Sequence, residues 1–352
     1  MTIGENNTKT WRLNTSPWMD AVGDTQLHPT CRVIIDNDFA GDPDDLFQLT
    51  HHLLCETVDI RLIVVSHLCN GDFIDPSGET VMHGTARVHT LLNLMGVTDY
   101  NDVLVAGSEQ PLPDAHTPQP SAARDAIIRE AMRNDTKLPL YYVAGGGVTD
   151  LMSAYLTEPR IAERMTVVWI GGQEYPGLAE PPIGRPSKEY NAQIDPIAAR
   201  MLLTDCTFPL WQVPRNAYHQ CLVSTAELAA YVRPCGELGE YLCNEIDTIR
   251  LHGERYGTQP TGAYCLGDSP LVSLTALLTP WDTAPASSQW MTIARPTLDS
   301  NDTPTDALPV SEQSAQAGRG IHVITHVDNR LLFGDLFARL SLFRRWRYDE
   351  SA

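Results

Sequence analysis

Short runs of β-branched and aromatic residues, separated by longer amphipathic stretches, limit most strongly how this 352-residue chain can fold. The runs are RVII at 32–35, IRLIVV at 60–65, DVLVAG at 102–107, LPLYYVAG at 138–145, MTVVWIGG at 165–172 and PLWQV at 209–213. Between them apolar residues recur at helical spacing, as in TARVHTLLNLMGV (85–97), VTDLMSAYLTEPRIAER (148–164) and PIAARMLLTD (196–205). Strands that are apolar along their whole length are covered on both faces, and a repeating strand–helix–strand order joins parallel neighbours. The expectation is an α/β protein with an open, mostly parallel, Rossmann-like sheet flanked by helices.

No internal repeat and no Pro/Ser-rich linker divides the first 280 residues, so 31–352 reads as a single domain. A polar arm at 1–30 precedes it, and a long surface loop rich in Thr, Ser, Asp and Pro is expected near 297–320. IHVITH (321–326) then reads as a returning strand and RLLFGDLFARLSLFRRW (330–346) as a closing helix.

A formal net charge of −19, with basic residues scattered except for Arg344, Arg345 and Arg347, argues against a nucleic-acid partner. No apolar run reaches the roughly 18 residues of a membrane span, and no cationic segment leads into an apolar one near the N-terminus. The expectation is a cytoplasmic protein with no membrane association. Eight cysteines lie far apart and never form C-x-x-C, the pattern of reduced thiols filling a core.

One turn concentrates charge. In RVIIDNDFAGDPDDLFQL five aspartates, Asp36, Asp38, Asp42, Asp44 and Asp45, fall within ten residues, between an expected strand and an expected helix. Ligands of open α/β sheets bind at the carboxyl ends of strands, which is where Asp36 and Asp38 stand. Asp42 can cap the helix and Pro43 suits its first turn, but capping explains one or two carboxylates and not five. Crowded like charges call for a cation, and oxygen donors without nearby Cys or His suit Ca²⁺ or Mg²⁺. Further oxygen donors are available in VAGGGVTDL, where three glycines end a strand, and at Asp268 in YCLGDSP. His51 and His52, on the helix after the aspartates, read as solvated.

Taken together these segments resemble the inosine-uridine preferring nucleoside hydrolase family, whose first strand is followed by D-x-D-P-G-x-D-D. Here the motif stands as Asp36-Asn37-Asp38, then Phe-Ala-Gly-Asp-Pro, then Asp44-Asp45, two residues longer than the family pattern. The resemblance continues in family order through DVLVAGSEQPL, GGGVTDLMSAYLTEPRIAERMTVVWIGG, EYNAQIDPIAARMLL and LWQVPRNAYHQCLVS, roughly over residues 30 to 280. It implies Ca²⁺-dependent hydrolysis of the N-glycosidic bond of a ribonucleoside or related N-ribosyl compound through an oxocarbenium-like transition state. It further implies Ca²⁺ ligands in Asp38, Asp45, the Gly145 carbonyl and Asp268, with Asp38 also the general base for the attacking water. Asp44, Glu189 and Asn191 would hold the sugar, and a homodimer or homotetramer is implied.

The base side departs from the family. Gly267 stands where purine-favouring members place a histidine before the last metal aspartate, and Ser66-His67 replaces their Gly-Asn. His67, at a strand end, is the candidate substrate contact, with His219 a second candidate acid. Tyr218 and Trp211 read as core aromatics that could also pack on a base. Asp195-Pro196 reads as a helix start. Two other functions are consistent with parts of the pattern. One is a ribosyl-binding, non-catalytic homologue. The other is a Mg²⁺-dependent phosphohydrolase of the haloacid-dehalogenase type, against which stand Ala40 two residues after Asp38 and the unused DPDD.

Overall fold

The computed structural model describes residues 8–19, 27–184, 188–255, 257–279 and 288–348. Its main sheet has eight strands: β1 Cys31–Asn37, β2 Val58–Val65, β3 Leu104–Ala106, β4 Leu140–Ala144, β5 Thr166–Ile170, β6 Leu210–Val213, β7 Gln289–Ala294 and β8 Gly320–His326. In space they run β7-β8-β6-β5-β4-β1-β2-β3, every neighbouring pair parallel except β7 with β8. The seven strands read from the sequence are all present. The eighth, QWMTIA, is an edge strand whose residues are mostly half-exposed, so it lacks the continuous apolar run that marks the others.

All seven residues of β1 are buried, including Asp36 and Asn37. Ile34, Val64, Tyr142 and Trp169 pack on one face of the sheet, and Val33, Ile35, Ile63, Val143 and Val168 on the other. Each such aliphatic side chain contributes about 1.5–3 kcal/mol when fully buried. The chain steps outward from β1 through β2 to β3, then returns to the other side of β1 with β4. Strand order therefore reverses between β1 and β4, where Asp36 pairs with Ala144, and a crevice opens at the carboxyl ends of those two strands.

Two features differ from the sequence expectation. His51 and His52 are not solvated but 1% and 0% exposed. His51 Nε2 lies 2.9 Å from Asp335 Oδ2 on the helix Asn329–Arg347, while His52 bridges Thr275 Oγ1 (2.9 Å) and Gln48. Burial holds the His52 imidazole neutral, its pKa pushed down to about 3. Both histidines face in because the helix Asp44–Leu53 is covered on every side after Asp44. Within the polar N-terminal segment, Trp11 and Trp18 are 4% and 2% exposed, and Trp11–Arg12 pairs in parallel with Val97–Thr98. Trp18 meets Trp11 and Phe343 edge to face at 4.7 and 5.1 Å, an anchor that the overall polarity of the segment conceals. The 297–320 stretch carries isolated bridges at Ile293–Pro309 and Leu298–Pro304 and a short helix, Glu312–Gln316. Among the described residues no helix is long and apolar enough to cross a membrane.

Candidate active site

At the end of β1 the backbone turns sharply: the Gly41 N–H donates to the Asp38 carbonyl at 2.8 Å, and helix begins at Asp44. Pro43, not Asp42, takes the N-cap position, so Asp42 makes no ordinary cap. Its carboxylate instead accepts the Asp44 N–H (3.3 Å) and the Tyr264 hydroxyl (2.9 and 3.0 Å). The loop is held by Arg87, whose Nη1 donates to the carbonyls of Phe39 (2.7 Å) and Gly41 (2.9 Å) while Nη2 pairs with Glu245 at 2.6 Å. One guanidinium thus fastens the aspartate turn to two helices, Thr80–Met95 and Gly236–Arg255. Arg87→Met retains the aliphatic stem but leaves two carbonyls without their donor. A loss of about 1–3 kcal/mol in stability is expected, measured by denaturant unfolding.

Asn37, overlooked in the sequence as the middle residue of D-x-D, organises the crevice. Its Oδ1 accepts the Gly145 N–H at 2.9 Å, and its Nδ2 donates to Asp268 Oδ2 (3.0 Å) and Gln48 Oε1 (3.1 Å). A polar chain so runs from Asp268 through Asn37 and Gln48 to His52 and Thr275. A buried amide at the end of an apolar strand is the signal that could have revealed it. Gly145 has no room for a side chain: a Cβ would collide with the Asp268 carboxylate and lie 2.7 Å from Asn37 Oδ1. Its carbonyl accepts Asn191 Nδ2 at 2.7 Å, and the same amide donates to Ile170 O at 2.8 Å.

Glu189 caps the helix Tyr190–Ile194 and accepts four donors: the N–H groups of Gly172 (2.7 Å), Ala192 (3.0 Å) and Asn191 (3.1 Å), and the Tyr218 hydroxyl (2.9 Å). The Arg215–Glu174 ion pair, buried and bidentate at 2.7 and 2.5 Å, anchors the single helical turn that presents Tyr218 and His219.

These elements enclose a cavity of about 470 Å³ whose walls include Asp38, Asp44, Gly145, Glu189, Asn191 and Asp268. Tyr190, Phe73, Ile74, Ile249, Tyr218 and His219 also line it. Asp45 is buried beside it, 1% exposed, and neither of its carboxylate oxygens has a hydrogen-bond partner. Burial, reinforced by the charges of neighbouring aspartates, holds Asp44 and Asp268 well above the usual carboxylate range; burial does the same for Asp45 against the opposing charge of Arg87. Asp38 is pushed up to about 7, by burial first and then by Asp72, Asp42 and Glu189. Asp36 lies deeper, receiving the Tyr142 hydroxyl, and burial raises its pKa too.

Of the residues singled out in the sequence, His67 is placed elsewhere. It is 2% exposed, its ring nitrogens lie 2.9 Å from Leu68 O and 3.0 Å from Thr149 Oγ1, and Thr149 in turn donates to Asp195 at 2.7 Å. The ring is turned into the sheet-to-helix packing by these partners and is absent from the cavity wall. Asp195 starts the helix Pro196–Thr204, accepting the Ala198 N–H at 2.9 Å. Trp211 lies in a different cavity, with Trp290 and His322.

A model of the inosine-uridine preferring nucleoside hydrolases matches residues 33–329. The chain belongs to this family. It is therefore an N-glycosyl hydrolase of a metal-dependent group acting on nucleosides. No curated protein matches the chain. Among solved structures, a plant nucleoside hydrolase superposes with a TM-score of 0.64 at 18% identity, covering 89% of this chain and 99% of the other. An inosine-guanosine nucleoside hydrolase gives 0.63 at 18%, covering 88% and 98%. A purine-preferring ribonucleoside hydrolase from Gardnerella vaginalis gives 0.64 at 17%, covering 89% and 99%. At such identities these likenesses speak for the nucleoside hydrolase fold.

In this nucleoside hydrolase the residue before Asp268 is a glycine closed in by another element. A Cβ on Gly267 would stand 3.2 Å from Tyr218 Cδ2 and 3.1 Å from Asp44 Oδ2, so the Tyr218 ring occupies the space beside the glycine. Gly267 and Tyr218 are 49 positions apart in the chain, which is why this approach could not be read from either residue alone.

Proposed function

We propose that the chain is a calcium-dependent ribonucleoside hydrolase in which Asp38 is the general base and Asp38, Asp45, Asp268 and the Gly145 carbonyl hold the ion. The observation that carries this reading is the pair of oxygens on the buried Asp45 without a hydrogen-bond partner, among several carboxylates and with Arg87, already bound to two carbonyls and Glu245, as the opposing charge. Burying carboxylate oxygens without hydrogen-bond partners is costly, and a hard cation in contact with them removes that cost. The donor set is oxygen only, which fits Ca²⁺ better than a thiophilic metal. When bound, the ion supplies positive charge that favours ionisation of water and grips a vicinal diol.

The chain's own groups do the rest. Asp38, 8% exposed and with its pKa pushed up to about 7, takes a proton from water near neutral pH. Asp44, Glu189 and Asn191 orient the sugar, and the surrounding carboxylates stabilise the positive charge that develops as the glycosidic bond breaks. Glu189 already accepts four donors, so a sugar hydroxyl must share or displace the Tyr218 hydroxyl. Tyr218→Phe is expected to change kcat/KM about tenfold, mainly through KM, read in steady-state kinetics. Loss of kcat alone, with KM unchanged, would place Tyr218 in proton transfer instead. His219, on the cavity wall, is the candidate acid for the departing base.

Ribose release from a panel of purine and pyrimidine nucleosides, with and without chelator, tests the proposal. Reducing sugar that appears only with the cation supports it. Saturable nucleoside binding without product would instead support a non-catalytic, ribosyl-binding chain, consistent with Gly267 in place of the family histidine.

A further inference from the structure

A cluster of metal-ligating side chains lies at the opposite end of the helix that begins with Asp44. Among the described residues, one group of three His, Cys, Asp or Glu side chains brings its ligand atoms all within 4.8 Å of one another: His51, Cys55 and Asp335. His51 and Cys55 are four residues apart, and the helix's last turn runs on to Cys55 through the Cys55 N–H to His52 O bond of 3.0 Å, so both stand on one face. Asp335 reaches them from the helix Asn329–Arg347, its Oδ2 2.9 Å from His51 Nε2.

We propose that His51, Cys55 and Asp335 form a structural zinc site that clamps the C-terminal end of the aspartate-bearing helix to the C-terminal helix. Imidazole nitrogen, thiolate sulfur and carboxylate oxygen together are the donor set of Zn²⁺. Bonds of about 2.0–2.3 Å in a tetrahedron put ligand atoms roughly 3.3–3.8 Å apart, and the three ligand atoms here lie within 4.8 Å of one another. His51 and Cys55 are 1% and 5% exposed, while the Asp335 side chain is 22% exposed and leaves an entry path.

Charge points the same way. Arg339 donates to Asp335 (2.5 Å) and to Glu56 (2.5 Å), so one buried guanidinium answers two carboxylates, and Glu56 Oε1 is buried without a partner. With His51 and Cys55 neutral the cluster carries one net negative charge. A divalent cation binding as the Cys55 thiol releases its proton to solvent brings that charge to zero, and water can take the fourth position. The site is independent of the proposed calcium site, whose donors are all oxygens.

Cobalt(II) is the probe, because thiolate ligation gives a near-ultraviolet charge-transfer band that oxygen-only sites lack. Metal-free full-length protein is expected to develop this band with about one equivalent of Co²⁺, and Zn²⁺ to abolish it by displacement. Cys55→Ser and His51→Ala should lose the band, while Asp38→Asn, in the other site, should keep it. Zn²⁺ should also raise the Tm of the wild-type chain but not of Cys55→Ser, a readout that stands even if one variant folds poorly. No band at excess Co²⁺ on the wild-type chain overturns the proposal, as does a band that persists in Cys55→Ser. Calcium-dependent nucleoside hydrolysis can succeed or fail without changing either result.

Discussion

Asp38→Asn is expected to lower kcat for nucleoside hydrolysis by about 10³-fold while leaving the fold intact. The substitution preserves size and hydrogen-bonding shape but removes the carboxylate's proton acceptance and weakens its hold on the cation, the two functions proposed for this side chain. Asp38 suits that task because burial and the charges of Asp72, Asp42 and Glu189 push its pKa up to about 7, so it is basic enough to take a proton and still ionised near neutrality. Activity that depends on the carboxylate falls as pH drops through that pKa, and a bound cation moves the midpoint lower. Removing a buried charge should also leave thermal stability in the absence of metal equal or higher. Steady-state kinetics of ribose release, together with Tm under chelation, check both parts. A kcat within about threefold of wild type would remove Asp38 from the chemistry.

The second large effect is expected from taking away the cation, by chelation or through Asp45→Asn. The carboxylates around the cavity have raised pKa values, so the native state holds their protons more tightly than the unfolded chain does. Stability from this source is complete below the ordinary carboxylate pKa and is lost as pH rises through the folded-state value. For Asp38 alone, a rise from 3.8 to about 7 corresponds to roughly 4 kcal/mol lost across that window when no cation is present. Chelated protein is therefore expected to melt lower at pH 7.5 than at pH 5, and Ca²⁺ to raise Tm far more at the higher pH. Asp45→Asn, which replaces two orphaned oxygens by a neutral amide, should weaken Ca²⁺ binding by about 10²-fold or more, read by calorimetric titration. Equal calcium stabilisation at the two pH values would count against a carboxylate site.

These tests bear on residues that were legible to different degrees. The aspartate turn, the strand-ending glycines, Glu189, Asn191 and Asp268 were readable because each belongs to a local pattern with a chemical reason: acids after a buried strand, glycine at a close backbone approach, an acid at a helix start. Asn37, Gln48 and Arg87 were not, because each acts on a segment distant in the chain. Arg87 is an ordinary helical cation until the fold lays it against Phe39 and Gly41, and only then does it hold the aspartate turn in place. His67 failed in the other direction. A histidine at a strand end is a reasonable ligand candidate, but the direction of its ring is decided by Thr149, more than eighty positions away.

The sequence by itself determined the repeating strand and helix order, and with it a parallel sheet covered on both faces. It also determined where five carboxylates crowd, because hydrophobic period and charge spacing are properties of neighbouring residues. Tertiary structure alone decided which of those carboxylates share one cavity, and that Tyr218 fills the space beside Gly267. It also turned His51 and His52 inward, bringing His51 and Cys55 up to Asp335. Such pairings rest on strand order and helix docking, which bring together side chains 49 to 284 positions apart, and no local pattern encodes distances of that kind.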